Sequence, residues 1–95
     1  MNGPMDDHAS RVLGNFLTAD GRLRSIPSKR SKLLVVLDHL SQSFEPGRHY
    51  PEKEVNEILE RFHPDYAALR RYLVEDQFLT REESVYWRSG GTFDV

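Results

Sequence analysis

Apolar residues recur at helical spacing in four stretches of the chain. The first two cover about residues 7–17 and residues 29–43, and the third and fourth are "PEKEVNEILERF" and "YAALRRYLVEDQ". Within each stretch, apolar residues lie three or four positions apart, which is typical of a helix with one buried face. The pattern therefore predicts four amphipathic helices, of which the last three follow one another closely.

Residues with capping or turn-forming side chains separate the four stretches. Asp7, Ser28 and Asp65 each precede a stretch and can accept hydrogen bonds from the first free amides of a helix. Pro51 suits the first position of the third helix, where an N–H would have no partner in the helix. The sequences "ADGR", "EPGRHY" and "HPD" lie between the helices and predict turns.

The pattern changes its period after the fourth helix. The runs "FLTR" and "SVYWR" are rich in β-prone residues, and the polar residues "EES" separate them. This arrangement predicts a β-hairpin. Because side chains alternate along a strand, either Tyr86 or Trp87 should face the core and the other should face outward.

From Ser28 onward, the predicted elements are three helices and a hairpin, which matches a winged helix-turn-helix. Gln77 lies at the junction of the last helix and the wing, where many such domains have glycine. We predict a single α+β, mostly α, winged helix-turn-helix-like domain with three to four helices and a C-terminal β-hairpin. It would cover residues 6–88, between flexible tails at residues 1–5 and 89–95. The alternative is a small α+β domain with no groove-binding role.

Composition narrows the possible functions. A chain of 95 residues makes one domain, and the lack of cysteine excludes disulfides, zinc fingers and a thiol nucleophile. The four histidines lack the spacing of metal ligands, and no set of nucleophile, base and orienting group is visible. We therefore expect no enzyme activity, metal or cofactor. The polar N-terminus and short apolar runs predict no signal peptide and no membrane partner, which favours the cytoplasm.

The segment "RLRSIPSKRSK" concentrates positive charge in a chain whose net charge is −2. A cation near a helix N-terminus opposes the helix dipole, so its placement there suggests another use, such as binding phosphate. The alternative is an ordinary solvated start of a helix. The candidate phosphate-binding residues of this segment, which we call the basic block, are Arg22, Arg24, Lys29, Arg30 and Lys32.

Further cations lie on the predicted recognition helix and wing. Arg70 and Arg71 lie midway along the helix, and Arg81 and Arg88 bracket the wing. Arginine binds phosphates and guanine edges well, so these four residues are also candidate nucleic-acid contacts. For Arg70 and Arg71 the alternative is ion pairing, for instance of Arg71 with Glu75 one helical turn later.

Five blocks of sequence occur in an order that resembles a known bacterial family. They are "DGRL", "IPSKRSK", "YPEKEVNEIL", "DYAALRRYLV" and "YWR". Together they resemble the domain-of-unknown-function family numbered two thousand and eighty-seven, over about residues 16–88. That family comprises stand-alone proteins and domains fused to helix-turn-helix regulators of the arsenical-repressor type. The resemblance implies a link to transcription and no particular activity.

The sequence as a whole favours a small transcriptional regulator that binds nucleic acid, with duplex DNA as the partner. One alternative is a protein-interaction module of a transcription complex, which would use the acidic third helix and an aromatic residue of the wing such as Trp87. Another alternative is RNA or ribosome binding through the same basic surface. A homodimer is also open, since the first helix could pack on its own domain or on a second copy.

Overall fold

The computed structural model describes residues 4–92, and the side chains of this range from Asp7 onward. It contains four helices and three strands. They are α1 (Pro4–Phe16), α2 (Arg30–Ser41), β1 (His49–Pro51), α3 (Glu52–Glu60), α4 (Tyr66–Glu75), β2 (Leu79–Glu82) and β3 (Val85–Arg88).

The strands form one antiparallel sheet in the order β1-β3-β2. The predicted hairpin is confirmed as β2 and β3, with Glu82 opposite Val85. Strand β1 begins in the segment predicted as a turn and ends at Pro51, the predicted first residue of the third helix. It pairs Tyr50 with Tyr86 of β3. Three residues ending in proline carry too little alternation for a strand to be predicted from the sequence. The fold is α+β, mostly α, and winged helix-turn-helix-like, as the order of the elements predicts.

The core lies where α2, α3 and α4 pack against one face of the sheet. Its residues are spaced three or four apart on the helices, as the apolar pattern predicts, and the strands contribute Tyr50, Leu79 and Tyr86. Because this face of α4 is buried, the residues on its opposite face are left for other contacts. The central members of the core are Val36, Leu37, Leu40, Val55, Leu59, Leu69, Leu73, Leu79 and Tyr86.

Both ends of α4 are stabilised by local hydrogen bonds. The predicted cap is confirmed, because the side chain of Asp65 accepts a hydrogen bond from the amide of Ala68 at 3.3 Å. At the other end, Gln77 adopts a φ of 65°, and the amide of Phe78 donates to the carbonyl of Leu73 at 2.9 Å. This is the Schellman arrangement that usually has glycine, and it directs the chain from α4 into the wing.

The start of α2 differs from the sequence-based prediction. Lys29, rather than Ser28, is the N-cap residue, and its side chain makes no capping hydrogen bond. The first turn also holds no acidic residue, so the cations of the basic block are not offset by an acid there. The helix is stabilised instead by packing of its apolar residues, since Val36 and Leu37 are fully buried.

The predicted tails overlap with ordered elements. Pro4 and Met5 belong to α1, while residues 1–3 lie outside the described part. Ser89, Gly90 and Thr92 are hydrogen-bonded to the rest of the domain, and 93–95 again lie outside the described part. Asp38 of α2 accepts hydrogen bonds from the amide of Thr92 at 2.6 Å and from its hydroxyl at 3.0 Å. Residues 4 and 5 thus continue α1 and Thr92 contacts α2, on either side of the predicted span of 6–88.

Candidate functional site

A groove of about 360 Å³ runs between α4 and the wing formed by β2 and β3. We call it the wing groove. It brings together three of the predicted nucleic-acid contacts, Arg70, Arg71 and Arg81, and the remaining lining comes from α3, α4 and β3. The complete lining is Glu52, Ala67, Arg70, Arg71, Val74, Glu75, Arg81 and Tyr86.

The periods of the two elements explain why these cations meet. Leu69 and Leu73 face the core, so Arg70 and Arg71 lie on the side of α4 that continues toward solvent. On β2, Arg81 shares a face with the buried Leu79 and lies opposite Tyr86 of β3. Arg81 is nearer the tip of the wing than Leu79, so its guanidinium reaches the groove rather than the core.

Contacts within the domain hold each of the three guanidinium groups. Arg70 is half-buried and donates a hydrogen bond to Oδ1 of Asn56 on α3. The guanidinium carbon of Arg71 lies 5.4 Å from the centre of the Tyr72 ring, and Nε of Arg81 donates to the carbonyl of Glu83 at 2.6 Å. A guanidinium carries five N–H donors, so these contacts orient the groups while other donors face the groove.

Glu52 introduces a negative charge at the base of the wing groove. The hydroxyl of Tyr86 donates a hydrogen bond to its Oε1 at 2.7 Å. This hydrogen bond is the largest cause that holds the pKa of Glu52 below its usual value. Burial opposes it, and the charges of Arg70 and Arg81 lower the pKa further. Burial and the bond to Glu52 raise the pKa of the Tyr86 hydroxyl. The groove therefore holds an ionised carboxylate beside two guanidinium groups.

The basic block does not form a single cluster. Arg22 donates from Nη1 to the carbonyl of Arg61 at 2.7 Å, at the end of α3 and just before α4 begins. Arg30 instead forms an ion pair of 2.7 Å with Asp76, at the far end of α4. A helix of ten residues is about 15 Å long, so the two ends of the block lie well apart. Of the other members, Arg24 and Lys29 are exposed and Lys32 is half-buried.

Arg30 lies on the other flank of α4 from the wing groove. Its partner Asp76 follows Arg71 by five residues, which is a rotation of about 140° around the helix axis. The exposed face of α4, which includes Ala67, Arg71 and Glu75, therefore has Arg81 on one flank and Arg30 on the other.

Arg88 is placed differently from the sequence-based prediction. It shares the inward face of β3 with Tyr86 and is only 9% exposed. Its guanidinium donates to the carbonyls of Gly90 at 3.1 Å and Phe44 at 3.4 Å, and also to the carbonyl of Thr92. Arg88 therefore joins Gly90 and Thr92 to the segment that follows α2 and is not part of the solvent-facing cationic surface.

The outer face of the sheet presents an aromatic pair. The rings of His49 and Trp87 are stacked, with centroids 4.9 Å apart and planes inclined by 16°. The neighbouring Val85 is 38% exposed, the one large hydrophobic side chain that counts as exposed among the described residues. The prediction for the hairpin aromatics is confirmed, because Tyr86 faces the core. Sequence reasoning missed His49, since its partner depends on the pairing of β1 with β3.

A larger cavity of about 730 Å³ lies on the other side of α3. Here Arg48 forms an ion pair of 2.7 Å with Glu54, and its guanidinium carbon lies 4.6 Å from the centre of the Tyr50 ring. Glu57 also lines this cavity, so its cations Arg48, Lys53 and Arg61 are accompanied by acids. The wing groove has the same balance, since Glu52 and Glu75 line it beside three arginines, and it differs from this cavity in lying between α4 and the hairpin.

Residues 4–92 contain no group of three or more His, Asp and Glu side chains placed to hold a metal ion. Within the same part of the chain, none of the helices has the length and apolar character needed to cross a bilayer.

A family model matches residues 22–88, which is more than half of the chain. The chain belongs to the family described as "Uncharacterized protein conserved in bacteria (DUF2087)". The resemblance seen in the sequence is thereby confirmed. The DUF2087 match begins at Arg22 and ends at Arg88, so it contains α2 to β3 and leaves α1 outside. No curated protein and no solved structure matches the chain.

Proposed function

We propose that this DUF2087 protein is a nucleic-acid-binding winged-helix protein, a small bacterial transcriptional regulator that contacts the phosphates of duplex DNA. The observation that carries the proposal is the meeting of Arg70, Arg71 and Arg81 in the wing groove. Intramolecular contacts orient all three, which lowers the entropic cost of binding a phosphate backbone. Such a role implies a location in the cytoplasm.

The distribution of cations around α4 supports a duplex as the ligand. The major groove of B-DNA is about 12 Å wide and admits a helix. With α4 in this groove, Arg81 on the wing would lie near one sugar-phosphate strand. Lys29 and Arg30, at the start of α2, would lie near the other. The ion pair of Arg30 with Asp76 does not oppose this, because the Arg30 side chain is 71% exposed and a guanidinium has further N–H donors for a phosphate.

The same residues favour phosphate contacts over base reading. The exposed face of α4 offers Ala67 and Glu75 beside Arg71, and a helix face with one cation and no amide side chain reads few base edges. Phosphate contacts give affinity without sequence information. We therefore expect binding that depends strongly on salt and weakly on sequence.

The test is fluorescence anisotropy of the whole chain with a labelled random-sequence duplex across a salt series. Each phosphate contact contributes about 0.9 to the slope of log affinity against log salt. Replacing Arg71 and Arg81 by Gln should therefore lower the slope by about 1.8. Arg61→Gln is the control, because Arg61 lines the other cavity.

A triple variant in which Lys29, Arg30 and Lys32 become Gln tests the second flank in the same way. If the duplex does not bind at the lowest salt, the proposal is wrong. An unchanged slope in both multiple variants would remove α4 and its flanks from the interface. Folded RNA, measured in parallel, distinguishes the alternative of RNA or ribosome binding through this surface.

The second candidate function is protein interaction within a transcription complex. The outer face of the sheet favours it, because the stacked His49 and Trp87 and the exposed Val85 lie together there. Such aromatic residues are enriched at protein interfaces. This function predicts that the chain does not bind DNA at low salt. In a pull-down, the chain should retain a partner protein, Trp87→Ala should abolish this binding, and Arg71→Gln should leave it intact.

A further inference from the structure

Glu52 is fixed in the wing groove by three features. It lies in the first turn of α3, where the helix dipole favours a negative charge. Its Oε1 accepts the hydroxyl of Tyr86, whose ring is 2% exposed and therefore firmly placed in the core. The guanidinium groups of Arg70 and Arg81 are close enough to act on its charge. A carboxylate held in this way can neither move aside easily nor lose its charge near neutral pH.

We propose that Glu52 is a built-in counter-ion that limits how tightly the wing groove binds phosphate. The proposal rests on the proposed function of this groove. A phosphate placed between Arg70 and Arg81 would come close to the carboxylate of Glu52, and like charges at short distance repel. The carboxylate already neutralises part of the charge that the two arginines present. Binding then needs several phosphates acting together, so a polymer is favoured over a single free phosphate.

A purely structural role for Glu52 makes a different prediction. In that case the residue would only complement the dipole of α3 and anchor Tyr86 of the wing. Removing its charge would then alter the stability of the domain. It would change DNA affinity no more than the loss of any other acid does.

The experiment compares Glu52→Gln with Glu57→Gln. Both changes remove one negative charge from α3, but Glu57 lines the cavity on the other side of the helix. Glutamine at position 52 keeps a carbonyl oxygen that can accept the hydroxyl of Tyr86. Anisotropy is measured with the random-sequence duplex and, separately, with inorganic phosphate as a competitor. Thermal unfolding shows whether each variant is folded. If Glu52→Gln is unfolded, Glu52→Ala is used in its place.

We expect Glu52→Gln to bind the duplex about two- to fivefold more tightly than Glu57→Gln, the range typical of one exposed charge interaction. Competition by inorganic phosphate should also increase. If only Glu52→Gln binds and the unaltered chain does not, the inference holds and the proposed function of the natural chain is wrong. If the unaltered chain binds DNA and both variants have equal affinity, the function stands and the inference is wrong. Absence of binding by all three proteins overturns both.

Discussion

Position along the hairpin decides which arginine of the wing can meet a ligand. Arg81 and Arg88 both follow the inward-facing side of the sheet, where Leu79 and Tyr86 are buried. Arg88 lies at the root of the wing, where its guanidinium donates a hydrogen bond to the carbonyl of Phe44, just after α2. Arg81 lies nearer the tip, beyond the cover of the core, so its guanidinium faces the wing groove.

The hydrogen bond between Tyr86 and Glu52 leads to a prediction about acid stability. Because the folded-state pKa of Glu52 is lowered, its ionised form stabilises the fold above the ordinary glutamate pKa of about 4.3. That stabilisation is lost as the pH falls through the lower pKa of the folded state. Urea unfolding should therefore show the unaltered chain more stable than Glu52→Gln at neutral pH. The difference should shrink as the solution is acidified below about 4.3.

A difference in stability that stays constant with pH would contradict this assignment. Tyr86→Phe is the matched change on the other side of the bond, because it removes the hydroxyl and keeps the buried ring. It should reduce the dependence of stability on pH in the same window, since the Tyr86 hydrogen bond is the largest cause of the lowered pKa of Glu52.

At the scale of elements, two residues other than glycine set the direction of the wing. Gln77 joins α4 to β2 with a φ of 65°, and Glu83 begins the turn between β2 and β3 with a φ of 58°. A left-handed backbone costs a residue other than glycine roughly 1–2 kcal/mol. A positive φ at the first central residue is typical of a type II′ turn, where glycine is preferred. The wing is thus held in place although the backbone at Gln77 and Glu83 adopts a conformation that these residues disfavour.

Glycine at the turn should stabilise the wing. We expect Glu83→Gly to raise the free energy of unfolding by about 0.5–1 kcal/mol, because glycine adopts positive φ without steric cost. Urea denaturation measures the change. Glu82→Gly is the control, since Glu82 lies in β2 and glycine weakens a strand, so this variant should be less stable. A less stable Glu83→Gly variant would show that the side chain contributes more than the strain costs.

Thr92, which follows the wing, is held by hydrogen bonds to other parts of the fold. Thr92 is hydrogen-bonded to Asp38 of α2, to Gln42 just after α2 and to Arg88 of β3. This arrangement fixes the root of the wing to α2 through residues that do not line the wing groove. The sequence "SGGT" carries no local signal for this placement, because glycine and serine are typical of free loops.

At the scale of the whole molecule, the longest dimension of the protein limits the length of DNA that one copy can cover. Its longest extent is 37 Å, which is close to one turn of B-DNA, about 34–36 Å or 10 base pairs. One copy should therefore occupy no more than about one helical turn. Titration of duplexes of increasing length should give at least one bound copy for each helical turn of DNA. Saturation at one copy for two turns or more would contradict this expectation, because each copy would then cover more DNA than its longest extent allows.

The sequence by itself determined the four helices, the hairpin and the fold class. Helical spacing of apolar residues, the cap at Asp65 and the alternation around Tyr86 are local signals, and each acts within a few residues of its cause. The family match rests on the same local blocks of sequence. These signals predicted the helices, the hairpin and their order without any knowledge of contacts.

Only the tertiary structure decided which charged residues meet. Arg30 reaches Asp76 across 46 positions, Arg88 reaches Phe44 across 44, and Tyr86 reaches Glu52 across 34. Contacts at such separations depend on how helices pack and how strands pair, and a charged residue carries no sequence signal for its distant partner. For this reason the basic block, continuous in sequence, is divided in space, while Arg70, Arg71 and Arg81 come together in the wing groove.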